Sequence, residues 1–140
     1  MAATNTPAKI RVLVVDDSRV VRVAASRMFT EEFDVLLAVD GADGLNIIER
    51  ESDIHVVFTD LAMPEMDGFE LLEAIRSHTD ENIRNLPVIV ATGAGNPENA
   101  KQKAFSLGAT DFITKPFHGT DMKARAPPHP HHPPATQALT

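Results

Sequence analysis

Asp16, Asp17 and Asp60 stand where acids are unexpected. "VLVVDD" (Val12 to Asp17) and "VVFTD" (Val56 to Asp60) are apolar runs that end on carboxylates. Another run, "PVIVAT", ends on the hydroxyl of Thr92, and "DFITK" ends on Lys115. If the three carboxylates meet, they repel; a pair about 4 Å apart at an effective dielectric of about 20 costs roughly 4 kcal/mol. A divalent cation would relieve that repulsion. Carboxylates, a backbone carbonyl and waters are hard oxygen ligands, which suit Mg2+ better than zinc or copper. A lysine is a compact positive charge suited to a phosphoryl oxygen, and a hydroxyl adds a hydrogen bond. An Asp nucleophile, a metal, a lysine and a hydroxyl are the parts needed for phosphoryl transfer to a carboxylate. Singly, each has an ordinary explanation: Asp17 before Ser18 as a cap or turn, Thr92 as a satisfied strand-end hydroxyl, Lys115-Pro116 as a solvated turn. Their recurrence at four strand ends is what points to a site.

The elements that must position these residues alternate along the chain. Apolar, β-branched runs predict strands at Ile10 to Val15, Val35 to Val39, His55 to Thr59, Pro87 to Ala91, and Phe112 with Ile113. Helical spacing appears between them. Ser18 to Thr30 places Val21, Ala24 or Ala25, and Met28 on one face, and Gly41 to Glu51 carries Leu45 and Ile48. Gly68 to His78 turns Leu71, Leu72 and Ile75 inward, with Asp67 and Glu70 as a capping box. Asn96-Pro97 reads as N-cap and first helical residue of a helix that reaches Leu107 and stops at Gly108. Five continuous apolar runs separated by helices imply a parallel sheet covered on both faces. With right-handed crossovers this is a doubly wound α/β fold, whose crevice lies at the carboxyl ends of the strands. Asp16, Asp17, Asp60, Thr92 and the stretch around Lys115 all fall there.

Composition narrows the classes. The chain has 140 residues and no cysteine, which suggests one domain and excludes disulfides, thiol catalysis and Cys-ligated zinc. It also fits a reducing, cytoplasmic setting. No apolar run approaches a membrane span, and the N-terminal "MAATNTPAKIR" lacks the apolar stretch of a signal peptide. With 13 basic and 20 acidic residues the net charge is −7, which disfavours direct nucleic-acid binding and favours a cation or a basic patch as partner. Gly93-Ala94-Gly95 is no dinucleotide fingerprint, because Glu98 stands at the third glycine position. Five of the ten prolines lie between Pro127 and Pro134, a stretch that cannot be α-helical. The expected organisation is a flexible N-terminus over residues 1–8, a domain over 9–125 and an extended or disordered Pro/His-rich tail over 126–140. His129, His131 and His132 read as part of that solvated tail.

Four stretches, "VLVVDDS", "DLAMPEMDGFELL", "PVIVATG" and "GATDFITKPF", together resemble the receiver domain of two-component response regulators, whose simplest members are single-domain chemotaxis regulators. The resemblance covers residues 9 to about 118. It implies a flavodoxin-like sheet of strand order 2-1-3-4-5, here with a fifth helix that is short or disrupted around residues 118–125. It implies that Asp60 accepts the phosphoryl group, that Asp17 and Asp60 ligate Mg2+, that Asp16 helps directly or through water, and that the backbone carbonyl of Ala62 is a further ligand. Lys115 would pair with the phosphoryl group, followed by a cis peptide bond at Pro116, and Thr92 would move onto a phosphoryl oxygen. Phe112 occupies an aromatic switch position, where it can act only by packing. The implied partners are a sensor histidine kinase or histidine phosphotransfer protein upstream, and an output domain or protein downstream. Such a chain turns over no external metabolite, so it is not expected to be an enzyme. Two alternatives remain at this level. One is a receiver cut from a larger regulator. The other is a Mg2+-dependent phosphatase with an Asp nucleophile, although such enzymes normally carry D-x-D at the first strand and the acids here are adjacent.

Overall fold

The computed structural model describes residues 10–29, 33–51, 53–61, 63, 66–92 and 97–114. Within them run β1 (Ile10–Val15), α1 (Arg19–Phe29), β2 (Phe33–Ala38), α2 (Gly41–Arg50), β3 (Val56–Asp60), α3 (Gly68–Arg76), α4 (Glu81–Arg84), β4 (Val88–Thr92), α5 (Pro97–Ser106) and β5 (Asp111–Thr114). The strands pair in parallel in the order β2-β1-β3-β4-β5. This is the expected flavodoxin-like, doubly wound α/β architecture. The order reverses between β1 and β3, so a crevice opens at their carboxyl ends.

The central strands are apolar over residues 12–15, 56–58 and 88–91 because both faces are covered there. On one face Leu13, Val15, Val57, Val88 and Val90 pack with Ile47 and Ile48 of α2, Leu71, Leu72 and Ile75 of α3, and Ala104 of α5. On the other, Val12, Val14, Val56, Phe58 and Ile89 pack with Ala25 of α1. Leu71, Leu72 and Ile75 have no exposed surface, and each contributes about 1.5–3 kcal/mol by leaving water. The capping box of α3 forms as its sequence requires. The Asp67 carboxylate accepts from Glu70 N–H and the Glu70 carboxylate accepts from Asp67 N–H, both at 2.9 Å. No described helix is long and apolar enough to cross a membrane.

Several boundaries differ from the sequence reading, each for a local reason. β2 begins at Phe33, a buried residue that pairs with Ile10, and ends before Val39, whose N–H donates to the Asp43 carboxylate at 3.0 Å. β3 begins at Val56 because the imidazole Nδ1 of His55 takes the Arg11 N–H at 2.9 Å in place of a ladder carbonyl. It runs on through Asp60, which pairs with Ala91, and β4 likewise includes Thr92. Ser18 is the cap of α1 and lies before it, its hydroxyl accepting from Val21 N–H at 3.3 Å. α3 stops at Arg76, with Ser77 N–H and Oγ both donating to the Glu73 carbonyl. The one-turn helix α4 was not foreseen; four residues show no period, and its signal is the Asp80 cap, which accepts from Asn82 N–H at 2.9 Å. The expected helix around 118–125 and the Pro/His-rich tail lie outside the described residues.

At the amino ends of the strands, half-buried Arg76 ties four segments together. Its Nε donates to the Gly108 carbonyl at 2.8 Å, and Nη1 donates to the carbonyls of Arg84 at 2.9 Å and Leu86 at 2.6 Å. Its Nη2 donates to Thr110 Oγ1 at 3.4 Å. Burial pulls this guanidinium below its ordinary pKa, though an arginine stays a cation. Gly108 ends α5 with φ of 104°, a conformation an L side chain resists, and a Cβ there would press on the Arg76 side chain at 3.0 Å.

Candidate functional site

Register brings the acids together. Val15 pairs with Thr59, so the next residues, Asp16 just past β1 and Asp60 at the end of β3, stand side by side. Asp17 follows at once. One carboxylate oxygen of each of Asp16, Asp17 and Asp60 lies within 4.8 Å of the others. Asp16 is 3 % exposed, Asp60 is half-buried and Asp17 is open to solvent. This gradient matters, because a buried carboxylate is screened less than a solvated one.

The turn carrying the acids is pinned by its own polar groups. Asp16 N–H donates to the Ala38 carbonyl of the edge strand at 3.1 Å, and the Asp16 carboxylate accepts from Ser18 N–H at 2.9 Å. Arg22, one turn into α1, donates from Nη1 to the Asp16 carbonyl at 2.8 Å. On β3, buried Thr59 donates its hydroxyl to the Asp60 carbonyl at 2.9 Å. That carbonyl is also where α3 begins. A Cβ on Gly68 would overlap the Asp60 carbonyl oxygen and stand 2.9 Å from Leu61 Cα, while Gly68 N–H donates to the Leu61 carbonyl at 2.9 Å. Gly41 makes a similar approach on the α2 side: its N–H donates to the Met66 carbonyl at 3.0 Å and a Cβ would overlap that oxygen. Glycines therefore set how closely α2 and α3 approach the loop that follows Asp60.

Of the residues expected from sequence, Asp16, Asp17 and Asp60 form one cluster. Thr92 ends β4 one residue beyond the partner of Asp60 and is buried at 8 % exposure. Thr114, the residue before Lys115 in the chain, pairs with Thr92. Phe112 is buried in the same cluster as Val88, Val90 and Ala104. Lys115, Pro116 and Ala62 lie outside the described residues. Two participants had not been singled out. Arg22 sits six residues after Asp16 on a helix whose first turn carries no acid, and Gly68 directly follows the Asp67 cap. A glycine immediately inside a capping box is the signal that would have found the second. Met63 and Met66, beyond Asp60 in the chain, are half-buried against the α2–α3 core.

Three hard oxygen donors within 4.8 Å fit a small divalent cation, and nothing soft stands among them. A doubly wound sheet with such a cluster at its switch point belongs to the α/β proteins that bind a charged ligand in the crevice at the carboxyl ends of their strands. The family model of the response regulator receiver domain matches residues 12–126, and the chain belongs to that family of signalling domains. It is 30% identical to the two-component response regulator ORR3 of Oryza sativa subsp. japonica, over 79% of this chain and 83% of that protein. It is 32% identical to the probable transcriptional regulator ycf27 of Porphyridium aerugineum, over 84% of this chain and 46% of that protein. The chain thus spans about half the length of some of the curated relatives it matches. In structure it is similar to the chemotaxis protein CheY4 of Vibrio cholerae, with a TM-score of 0.75 at 30% identity, over 84% of this chain and 95% of that one.

Proposed function

We propose that Asp60 accepts a phosphoryl group from a phosphohistidine of a sensor histidine kinase or histidine phosphotransfer protein, and that the chain thereby switches a partner-binding surface. The observation that supports this most is the meeting of Asp16, Asp17 and Asp60 within 4.8 Å at the crevice of a receiver fold. A carboxylate oxygen of Asp60 bonds to phosphorus while the P–N bond of the phosphohistidine breaks, and the leaving imidazole takes up a proton. Asp17 and Asp60 would hold Mg2+, with Asp16 direct or through water and the Ala62 carbonyl as a further ligand. When bound, the metal neutralises charge on the carboxylate and phosphoryl oxygens. Lys115 offers its ammonium to a phosphoryl oxygen, and the Thr92 hydroxyl donates to another. The surface of β4, α5 and β5 carries the change to an output partner, with Phe112 answering by packing. The bond formed is an acyl phosphate, lost by hydrolysis, so the chain regulates rather than turns over substrate.

The test is intact-mass analysis after incubation with acetyl phosphate and Mg2+. The parent gains one phosphoryl group and Asp60→Asn gains none; equal labelling of both proteins would overturn the assignment. A small phosphomonoester such as p-nitrophenyl phosphate should not be turned over, and catalytic turnover would favour a phosphatase instead. A second reading has its own support in the partial coverage of longer relatives: the receiver acts on an output domain of the same polypeptide. The reading frame of the gene beyond Lys123 decides between a separate and an attached output.

A further inference from the structure

Among the described residues strand β5 runs for four residues, lies at the sheet edge and pairs with β4 alone. Its apolar pattern is short. Phe112 faces the α2–α3–α5 core and Ile113 faces the α1 side, so each face takes one apolar residue. A one-residue slip moves each side chain to the opposite face; it would set one apolar residue in place of the other and bring Asp111 or Thr114 to the second buried position. In a longer strand the same slip would misplace more side chains and cost more. Contacts beyond these two residues add to what holds Thr114 against Thr92.

The holding contacts lie at the other end of the strand. Thr110, the residue before β5, donates its N–H to the Val88 carbonyl at 2.8 Å, and its Oγ1 accepts from Val88 N–H at 3.0 Å. Arg76 donates to the same Oγ1, to the Gly108 carbonyl two residues earlier, and to the Leu86 carbonyl two residues before β4. One planar guanidinium therefore grips the chain just before β4 and just before β5 at once. Its fork geometry fixes their relative height as a single ammonium cannot.

We infer that Arg76 is a positioning residue: through Gly108, Leu86 and Thr110 it sets the register of β5 on β4, and so the height at which Thr114, the residue before Lys115 in the chain, stands beside Thr92. Arg76 touches no reacting atom. The inference rests on the proposed phosphoryl chemistry only for its functional consequence. Asp16 and Asp17 follow β1 and Asp60 ends β3, whereas the hydrogen bonds of Arg76 go to Gly108, Arg84, Leu86 and Thr110, so metal binding and phosphoryl transfer should separate when it is changed.

The experiment compares the parent with Arg76→Met, Arg76→Lys and Thr110→Val. Mg2+ affinity is read by calorimetry, phosphoryl gain from acetyl phosphate by intact mass, and backbone exposure by amide hydrogen exchange. In Arg76→Met, Mg2+ affinity should stay within about twofold of the parent while the rate of phosphoryl gain falls about tenfold, the order expected for a misplaced positioning group. Arg76→Lys should recover part of that loss, and Thr110→Val should reproduce it. Exchange at Phe112 and Ile113 should quicken in Arg76→Met, with Val12 to Val15 unchanged. A parallel loss of Mg2+ affinity and rate, or faster exchange across the whole sheet, would reduce Arg76 to general stability and overturn the inference. So would unchanged exchange at β5. If the parent itself takes no phosphoryl group, the proposed function fails, and the exchange comparison alone decides the register.

Discussion

Asp60 and Asp16 set two like charges side by side at the crevice. Their carboxylates are close, and only Asp17, the third of the group, is open to water. Removing one charge from the inner pair should stabilise the metal-free protein. Asp60→Asn keeps the shape and is expected to recover about 1 kcal/mol once solvent screening is allowed for. Urea unfolding in EDTA checks this, and a destabilised variant would mean that the Asp60 carboxylate gains more from its contacts than it loses to repulsion. Gly68 makes the opposite case. A Cβ there meets the Asp60 carbonyl oxygen and Leu61 Cα, both backbone atoms that cannot swing away. Gly68→Ala should therefore destabilise by about 1–3 kcal/mol, the range for forced overpacking, and it should slow phosphoryl gain as Asp60 is displaced. Full stability and activity in that variant would show that the loop yields more easily than its contacts suggest.

Among the elements, α3 links the site to the core most directly. Its first residue abuts Asp60, its middle buries Leu71, Leu72 and Ile75, and its last residue is Arg76. Its start depends on the reciprocal bonds of Asp67 and Glu70. Asp67→Ala should cost about 1 kcal/mol. Glu70→Ala should cost less, because Glu70 is exposed and its bond to the cap can be replaced by water. The double variant should cost less than the sum of the two, since each change already breaks the shared box. Thermal or urea unfolding of the three proteins gives the comparison; strict additivity would mean that the two bonds act separately. By contrast, over residues 98–106 of α5 only Ala104 is fully buried, and Lys103 lies over the Phe69 ring of α3 at 4.4 Å from its centroid. A helix so lightly anchored is suited to carry a change of state.

For the whole molecule, the sheet divides the labour between its two ends. The carboxyl ends gather the acids. The amino ends are tied by Arg76 and by Arg11, which bonds Asp34 at 3.1 Å and Glu51 at 3.2 Å. Burial works to lower the Arg11 pKa, but the bonds and charges of Glu51 and Asp34 outweigh it and raise the pKa above its ordinary value. A raised pKa for a cation contributes stability that is present below its ordinary value and lost as pH rises through the raised one, so this tie persists through the neutral range and is lost under strongly alkaline conditions. Mg2+ should stabilise the molecule through the other end. At about 100 times its dissociation constant the gain is about 2.7 kcal/mol, provided the metal binds only the folded chain. The parent should melt several degrees higher with Mg2+ than with EDTA, while Asp60→Asn and Asp17→Asn should shift much less. Equal shifts in all three proteins would sink the shared carboxylate site.

The sequence by itself determined the layered architecture and the acids that gather at its crevice. Continuous apolar runs can only be buried on both faces, helices between them must cross over, and acids at two run ends must then share one crevice. The Asp67–Glu70 box and the stop at Gly108 were legible for the same reason: caps and turns are local, set by a few adjacent residues. Tertiary structure decided what depends on residues far apart in the chain. It set the ends of β2 and β3, where Phe33 meets Ile10 and the His55 imidazole takes the Arg11 N–H. It gave Arg22 and Gly68 their places beside the acids, and it joined Arg76 to three carbonyls and a hydroxyl lying 8 to 34 residues away. An arginine in a helical period announces only a polar side chain. Which carbonyls it reaches is known only when the strands are laid side by side, because hydrogen-bond partners are chosen by distance in space and not by spacing in sequence.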